Sequence, residues 1–439
     1  MSHDEHDACA CDEYNDLTSR RSFLQTSGGL GGAALFAWAY PEWLPKVSFA
    51  DSFAGERDVI VSIFLRGGAD GLSLCVPFGD PLYYTGRPTI AIPRPDSSSA
   101  NRAIALDNFF GFPQGMRFLV PAYQAGHLLV VHGAGLTYNT RSHFDAQHFI
   151  ELGKANDNSV NTGWLGRHLA TTSPMKNAAS LRAITIADGL AETLKGAPRA
   201  LPIADPANYG ISGSGSTRAE RQAWLGLEWG ESIDPAKTAA SDALNTINML
   251  RNLNVAGYQP ANGAVYPNTG LGRGLRNSAA LIKADIGVEA VHLDIGGWDT
   301  HTQQDPLAGS MNGTMTQLSG ALGAFWQDCI ASGLTQNVTV VVVSEFGRNV
   351  RENGSRGTDH GRGTAMFAMG RGINGGRVLT NNWRSLSQEN LADRQDLPVS
   401  IDHRDILAEI VQNRLGNANL GVVFPGYVPV IRGVTKPNA

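Results

Sequence analysis

The stretch VVVVSEFGRNVRENGSRGTDHGRGTAMFAMG, residues 340–370, decides the reading of this chain. Its four opening valines have the unbroken apolar character of a strand covered on both faces. They stop abruptly at Ser344, Glu345, Phe346, Gly347 and Arg348, and a second apolar run begins at Thr364. Between the two runs lie Asp359 and His360, set among glycines and arginines. In parallel sheets the crevice at the carboxyl ends of the strands is lined by loops of this kind. The stretch therefore predicts a site at the mouth of a sheet, with a purely structural polar loop as the alternative.

The same pattern recurs along the chain. DVIVSIFLRGGADG (58–71), HLLVVHGAG (127–135), LRAITIADG (181–189), EAVHLDIGGWDTH (289–301) and TAMFAMG (364–370) are short apolar runs closed by glycine or polar residues. Between the two long strands lies TMTQLSGALGAFWQDCIASG (314–333), whose Leu318, Leu322, Phe325 and Trp326 share one helical side. Strands alternating with helices predict an α/β fold, a mostly parallel central sheet with helices on both faces. Residues 205–275 break the alternation. They begin with YGISGSGS, pass through two helix-like segments, and read as a helical insertion or cap on a single α/β domain spanning 51–439.

The N-terminus carries an address. SRRSFLQ (19–25) precedes the weakly apolar TSGGLGGAALFAWAY and then small residues in VSFADSFAGE, the order of an export peptide occupying residues 1–50. Arg20 and Arg21 followed by Phe23 and Leu24 resemble the twin-arginine motif. The expected partner during export is the twin-arginine translocase, and the expected destination is periplasmic or extracellular. Cys9 and Cys11 would leave with the signal, and Cys75 and Cys329 are read as buried free thiols. No later stretch has eighteen uninterrupted apolar residues, so no stable membrane span is expected. Without the first 50 residues, which hold 3 basic and 7 acidic side chains, 32 basic and 33 acidic remain. A near-zero balance argues against bulk binding of nucleic acid.

Chemistry-bearing residues gather at the strand ends. Arg66 and Asp70 follow the first strand; Thr140, Arg141, Ser142, His143 and Asp145 follow the second. Asp299 and His301 follow the fourth, and Glu345, Arg348, Asp359 and His360 the fifth. Each has a plainer alternative: Ser142 and Asp145 fit a capping box, Asp70 an Asp-Gly turn, and GGWDTH a turn around a packed Trp298. A P-loop, a dinucleotide fingerprint and a G-x-S-x-G elbow are all absent.

Taken together, IFLRGGADGL, RSHFDAQ, GGWDTH, SEFGR and GTDHGRGTAMF resemble the exported bacterial proteins of domain-of-unknown-function family 1501, grouped with the alkaline-phosphatase-like superfamily. The resemblance covers about residues 57–430. It implies a phosphatase- or sulfatase-like sandwich with one or two divalent metals and an anionic small-molecule or polymer ester as substrate. Ser142 would be the nucleophile at a helix N-terminus, with Arg66, Arg141, Arg348 and Arg362 holding the anionic group. Asp299, His301 and His360 would hold Zn²⁺ or Mn²⁺, with Asp359 beside them. Glu345, Asp70 and the Ser142 oxygen would form a harder second site for Ca²⁺ or Mg²⁺. Phe346 stands where the superfamily has a ligating histidine, and His143 is the candidate replacement. The reading is an exported metal-dependent hydrolase of phosphate or sulfate esters. The alternative is a non-catalytic binding or assembly protein that keeps the fold with an eroded metal site.

Overall fold

The structure is a computed structural model that describes residues 57–437 except 158, 178, 212, 231, 232, 235 and 332–336. The export signal, with its arginine pair, lies outside the described residues. Among them no helix is long and apolar enough to cross a membrane.

Nine strands form one sheet: β1 (Val59–Leu65), β2 (Leu128–Gly135), β3 (Ala183–Thr185), β4 (Ala200–Pro202), β5 (Ala290–Ile295), β6 (Val338–Ser344), β7 (Thr364–Met369), β8 (Arg377–Leu379) and β9 (Ile401–Asp402). Their spatial order is β8-β2-β7-β6-β1-β5-β3-β4, with β9 pairing the end of β2. Every pairing is parallel except those of β7, which runs antiparallel to both β2 and β6. The α/β expectation of a mostly parallel sheet holds. Every residue of β1 and β6 is buried, which is why both read as unbroken apolar runs.

Among the described residues, the α-helices of seven residues or more are α1 (His143–Leu152), α2 (Trp164–Ala170), α3 (Arg218–Gly230), α4 (Ala236–Asn252), α5 (Gly270–Lys283), α6 (Ser310–Phe325) and α7 (His403–Asn413). Successive strand side chains point to opposite faces. Ile60, Phe64, Val341 and Val343 share one core with Phe149 and Ile150 of α1, Trp164 of α2 and Ile406 of α7. On the other face, α5 packs on β5 and α6. A β-carbon on Gly274 of α5 would lie 2.7 Å from Leu293 Cδ2, so any larger residue there would have to displace the Leu293 side chain.

Residues 208–252, with α3 and α4 packed on each other, form a compact unit separate from the one that carries the sheet. The remainder of the segment expected as an insertion, residues 253–275, belongs to the sheet-bearing unit. Cys75 and Cys329 are both free and buried, as expected.

The direction of β7 positions the site. Because β7 returns antiparallel beside β6, residues 345–363 begin and end at the edge where β1, β2 and β5 also finish. The two ends of this loop are zipped: Gly347 N–H donates to the Arg362 carbonyl and Gly361 N–H to the Gly347 carbonyl, both at 2.9 Å. A β-carbon on Gly347 would fall 1.9 Å from the Gly363 carbonyl oxygen. Gly347→Ala should therefore destabilise by about 1–3 kcal/mol, as overpacking does, whereas Gly354→Ala, with nothing within 4 Å, should be close to neutral. Denaturant unfolding of the two variants checks this, and equal stability would contradict the close approach.

Candidate metal centre

Four loops meet at this edge. After β2 the chain reaches Ser142, the N-cap of α1, whose hydroxyl oxygen accepts from the Asp145 N–H at 3.3 Å. Ser142 therefore caps the helix, with His143 at its first position, but the reciprocal half of the capping box is not formed: the Ser142 N–H donates to Thr140 Oγ1 at 3.2 Å, not to Asp145. After β5 the chain turns through Gly297, at φ 93°, and buries Trp298, which anchors Asp299 and His301. After β6 come Glu345 and Arg348, and Arg348 forms an isolated antiparallel bridge with His360.

Imidazoles from three of these loops converge. His360 Nε2 lies 3.0 Å from His143 Nε2, 2.9 Å from His301 Nε2 and 3.4 Å from Asp299 Oδ1. Asp299 Oδ1 is also 3.0 Å from His301 Nε2 and 3.5 Å from His143 Nε2. The ligand atoms of His143, Asp299 and His360 all lie within 4.8 Å of one another. Donors about 2.1 Å from one ion sit about 3.0–3.4 Å apart in octahedral or tetrahedral geometry. Among the described residues, the spacings of His143, Asp299 and His360 suit ligands of one ion, and His301 Nε2 lies beside His360 and Asp299.

The far side of each ring fixes which nitrogen faces inward. His143 Nδ1 meets Glu345 Oε1 at 2.8 Å, His301 Nδ1 meets Asp359 Oδ1 at 2.8 Å, and His360 Nδ1 meets the Arg141 carbonyl at 2.9 Å. All three partners are acceptors, so each Nδ1 carries the proton and each neutral ring turns an Nε2 lone pair toward the others. Lone pairs this close, beside a carboxylate oxygen, would be stabilised by a bound cation or by a proton shared between two rings. The donor set, imidazole-rich with one carboxylate, fits Zn²⁺ or Mn²⁺.

The electrostatics agree. The hydrogen bond that His143 donates to Glu345 raises the His143 pKa. Burial lowers that of His360. Burial pushes Asp299 up, but the hydrogen bond and charge of Arg348 prevail and hold its carboxyl at about 2. Glu345 is fully buried, yet donors from His143, Gln147 and the Gly67 N–H keep it below the usual carboxylate range.

Several expected roles change. Asp70 does not join the centre: it is buried in an ion pair with Arg87 and accepts further bonds from Ser73 and Gln304. Glu345 and Asp359 orient histidines, so the hard all-oxygen second site is not assembled, and with it goes the case for Ca²⁺ or Mg²⁺. Three of the four arginines expected as an anion clamp are engaged. Arg66 pairs with Glu151 and Asp294, Arg141 with Asp393 and Asp396, and Arg348 with Asp299. Gln147 was missed by the sequence reading: one turn after His143, its amide donates to the same Glu345 oxygen at 2.9 Å. Its only signal was the four-residue spacing from a histidine at a helix start.

No curated protein matches the chain. Among solved structures, the C-terminal periplasmic domain of EcEptC from Escherichia coli, in complex with Zn, is similar at 12% identity. The similarity covers 90% of this chain and 93% of that one, with a TM-score of 0.33. A family model described as "Protein of unknown function (DUF1501)" matches residues 57–418, and the chain belongs to that family.

Proposed function

We propose that this chain is an exported, metal-dependent hydrolase of phosphate or sulfate esters with an alkaline-phosphatase-like fold. The observation that carries the proposal is the convergence of three imidazole Nε2 atoms and Asp299 Oδ1 with every Nδ1 already committed. Export rests on the arginine pair and apolar stretch of residues 19–40.

His143, His301, His360 and Asp299 would hold the ion. When bound, a divalent ion would acidify a hydroxyl or water and neutralise charge on the ester oxygens. Glu345, Asp359 and the Arg141 carbonyl keep the three rings in one tautomer. Ser142 is the candidate nucleophile: its oxygen accepts from the Asp145 N–H at the start of α1 while its own O–H remains available. The amide-rich helix N-terminus beside it favours an anionic group.

One observation favours the second reading, a metal-binding assembly protein without turnover. Arg66, Arg141 and Arg348 are paired with carboxylates, so these three side chains do not form a ready anion clamp.

Elemental analysis of protein isolated with Zn²⁺ or Mn²⁺ available should find bound metal, and His360→Ala should lose it. Glu345→Gln, which leaves the ligands intact, should weaken metal affinity by about 10–100-fold. Absence of binding with every divalent ion tested would sink the centre. In the metal-loaded protein, turnover of an aryl phosphate or aryl sulfate should fall at least ~10³-fold in Ser142→Ala with metal content unchanged. Undiminished turnover would move the nucleophile to water. No turnover of either ester by the loaded wild type would leave the assembly reading standing.

A further inference from the structure

The sheet face that packs on α1 is mostly apolar but holds a polar island beneath the helix. Ser62 and His292 are paired in the register of β1 and β5, and Glu151 and Thr193 close over them. With apolar walls that include Phe64 and Trp164, these four residues surround a cavity of about 10 Å³. Every one of them is at most 4% exposed.

Two polar atoms at this cavity lack a protein partner. His292 Nδ1 and Thr193 Oγ1 are buried with no protein group in hydrogen-bonding reach. The other imidazole nitrogen, Nε2, faces Asp294 Oδ1 at 3.2 Å. That carboxylate is ionised, so Nε2 carries the proton and Nδ1 presents a lone pair. An acceptor and a hydroxyl, both desolvated and both carried by residues that line a space of about one water's size, are the partners a water molecule there would take.

We infer that one internal water occupies this cavity, donating to His292 Nδ1 and hydrogen-bonding Thr193 Oγ1. It acts as a positioning element at the far end of a polar chain. His292 bonds Asp294, and Arg66 donates to Asp294, Glu151 and the side-chain Oε1 of Gln147 at 2.9, 2.8 and 3.3 Å. Gln147 in turn holds Glu345, which holds His143. The water thus lies at the end of the hydrogen-bonded chain that runs through Arg66 and Gln147 to Glu345.

The test reads the water itself. A crystal structure of the mature chain at high resolution should show a spherical density peak about 2.7–3.2 Å from both His292 Nδ1 and Thr193 Oγ1. A dry cavity overturns the inference. Thr193→Val keeps the side-chain shape and removes only the hydroxyl, which has no protein partner to lose. If the water is present, the variant loses a buried bond and its melting temperature should fall by about 1 °C. An unchanged or higher melting temperature means that the hydroxyl was unpaired and overturns the assignment. Neither result bears on metal content or ester turnover, so this inference and the hydrolase reading fail separately.

Discussion

The Arg348 guanidinium is the interaction on which the rest of the centre depends. It is fully buried, and its N–H groups reach the carbonyls of Gly67 and Gly68 after β1, Trp298 after β5 and Thr358 before His360, together with the Asp299 carboxylate. A planar, permanently charged fork can address that many acceptors at fixed angles; a lysine ammonium has fewer donors and no such plane. A buried cation is costly unless it is paired and hydrogen-bonded. Here Asp299 supplies the countercharge and four carbonyls supply the bonds. The same contact that stabilises Arg348 also fixes the Asp299 oxygen that faces the three imidazoles.

The glycines follow from this arrangement. Three loops cannot close on one guanidinium unless their backbones approach without side chains between them. Gly67 has φ 121°, and a β-carbon there would lie 2.6 Å from the Asp299 nitrogen. Gly347 meets the Gly363 carbonyl in the same way. The glycine-rich character of the opening stretch is therefore the steric condition for a buried arginine at a loop junction.

The sheet was legible because burial on both faces writes itself as unbroken apolar runs, and each predicted run contains a strand. The antiparallel course of β7 was not legible, since direction leaves no mark on composition. Asp299, His301 and His360 were marked by their place after or before strands, and His143 by its neighbour Ser142. Asp70 misled because nothing in GGADG announces Arg87, which lies 17 residues on and takes both of its oxygens. The arginines misled for a related reason: spacing shows which charges reach the edge, but not which are already neutralised by Glu151, Asp294, Asp393 or Asp396. Glu345 kept its place but changed its role. One residue after a buried strand, it is too deep to meet an ion and so meets the back of a ligand.

That depth gives the centre two unequal sides. On the protein side, Glu345 is fully buried and His143 and His360 are only about a fifth exposed, 23% and 21%, held by α1 and the zipped loop. On the other side, the side chains of Asp299, His301 and Asp359 are 51%, 41% and 56% exposed. A metal ion needs rigid ligands to bind tightly and an open coordination position to act on anything beyond itself. Burying one carboxylate-backed histidine while leaving another in reach of solvent supplies both conditions. Any ligand must then approach from the Asp299–His301 side, where the carboxylate charge is already drawn back by Arg348.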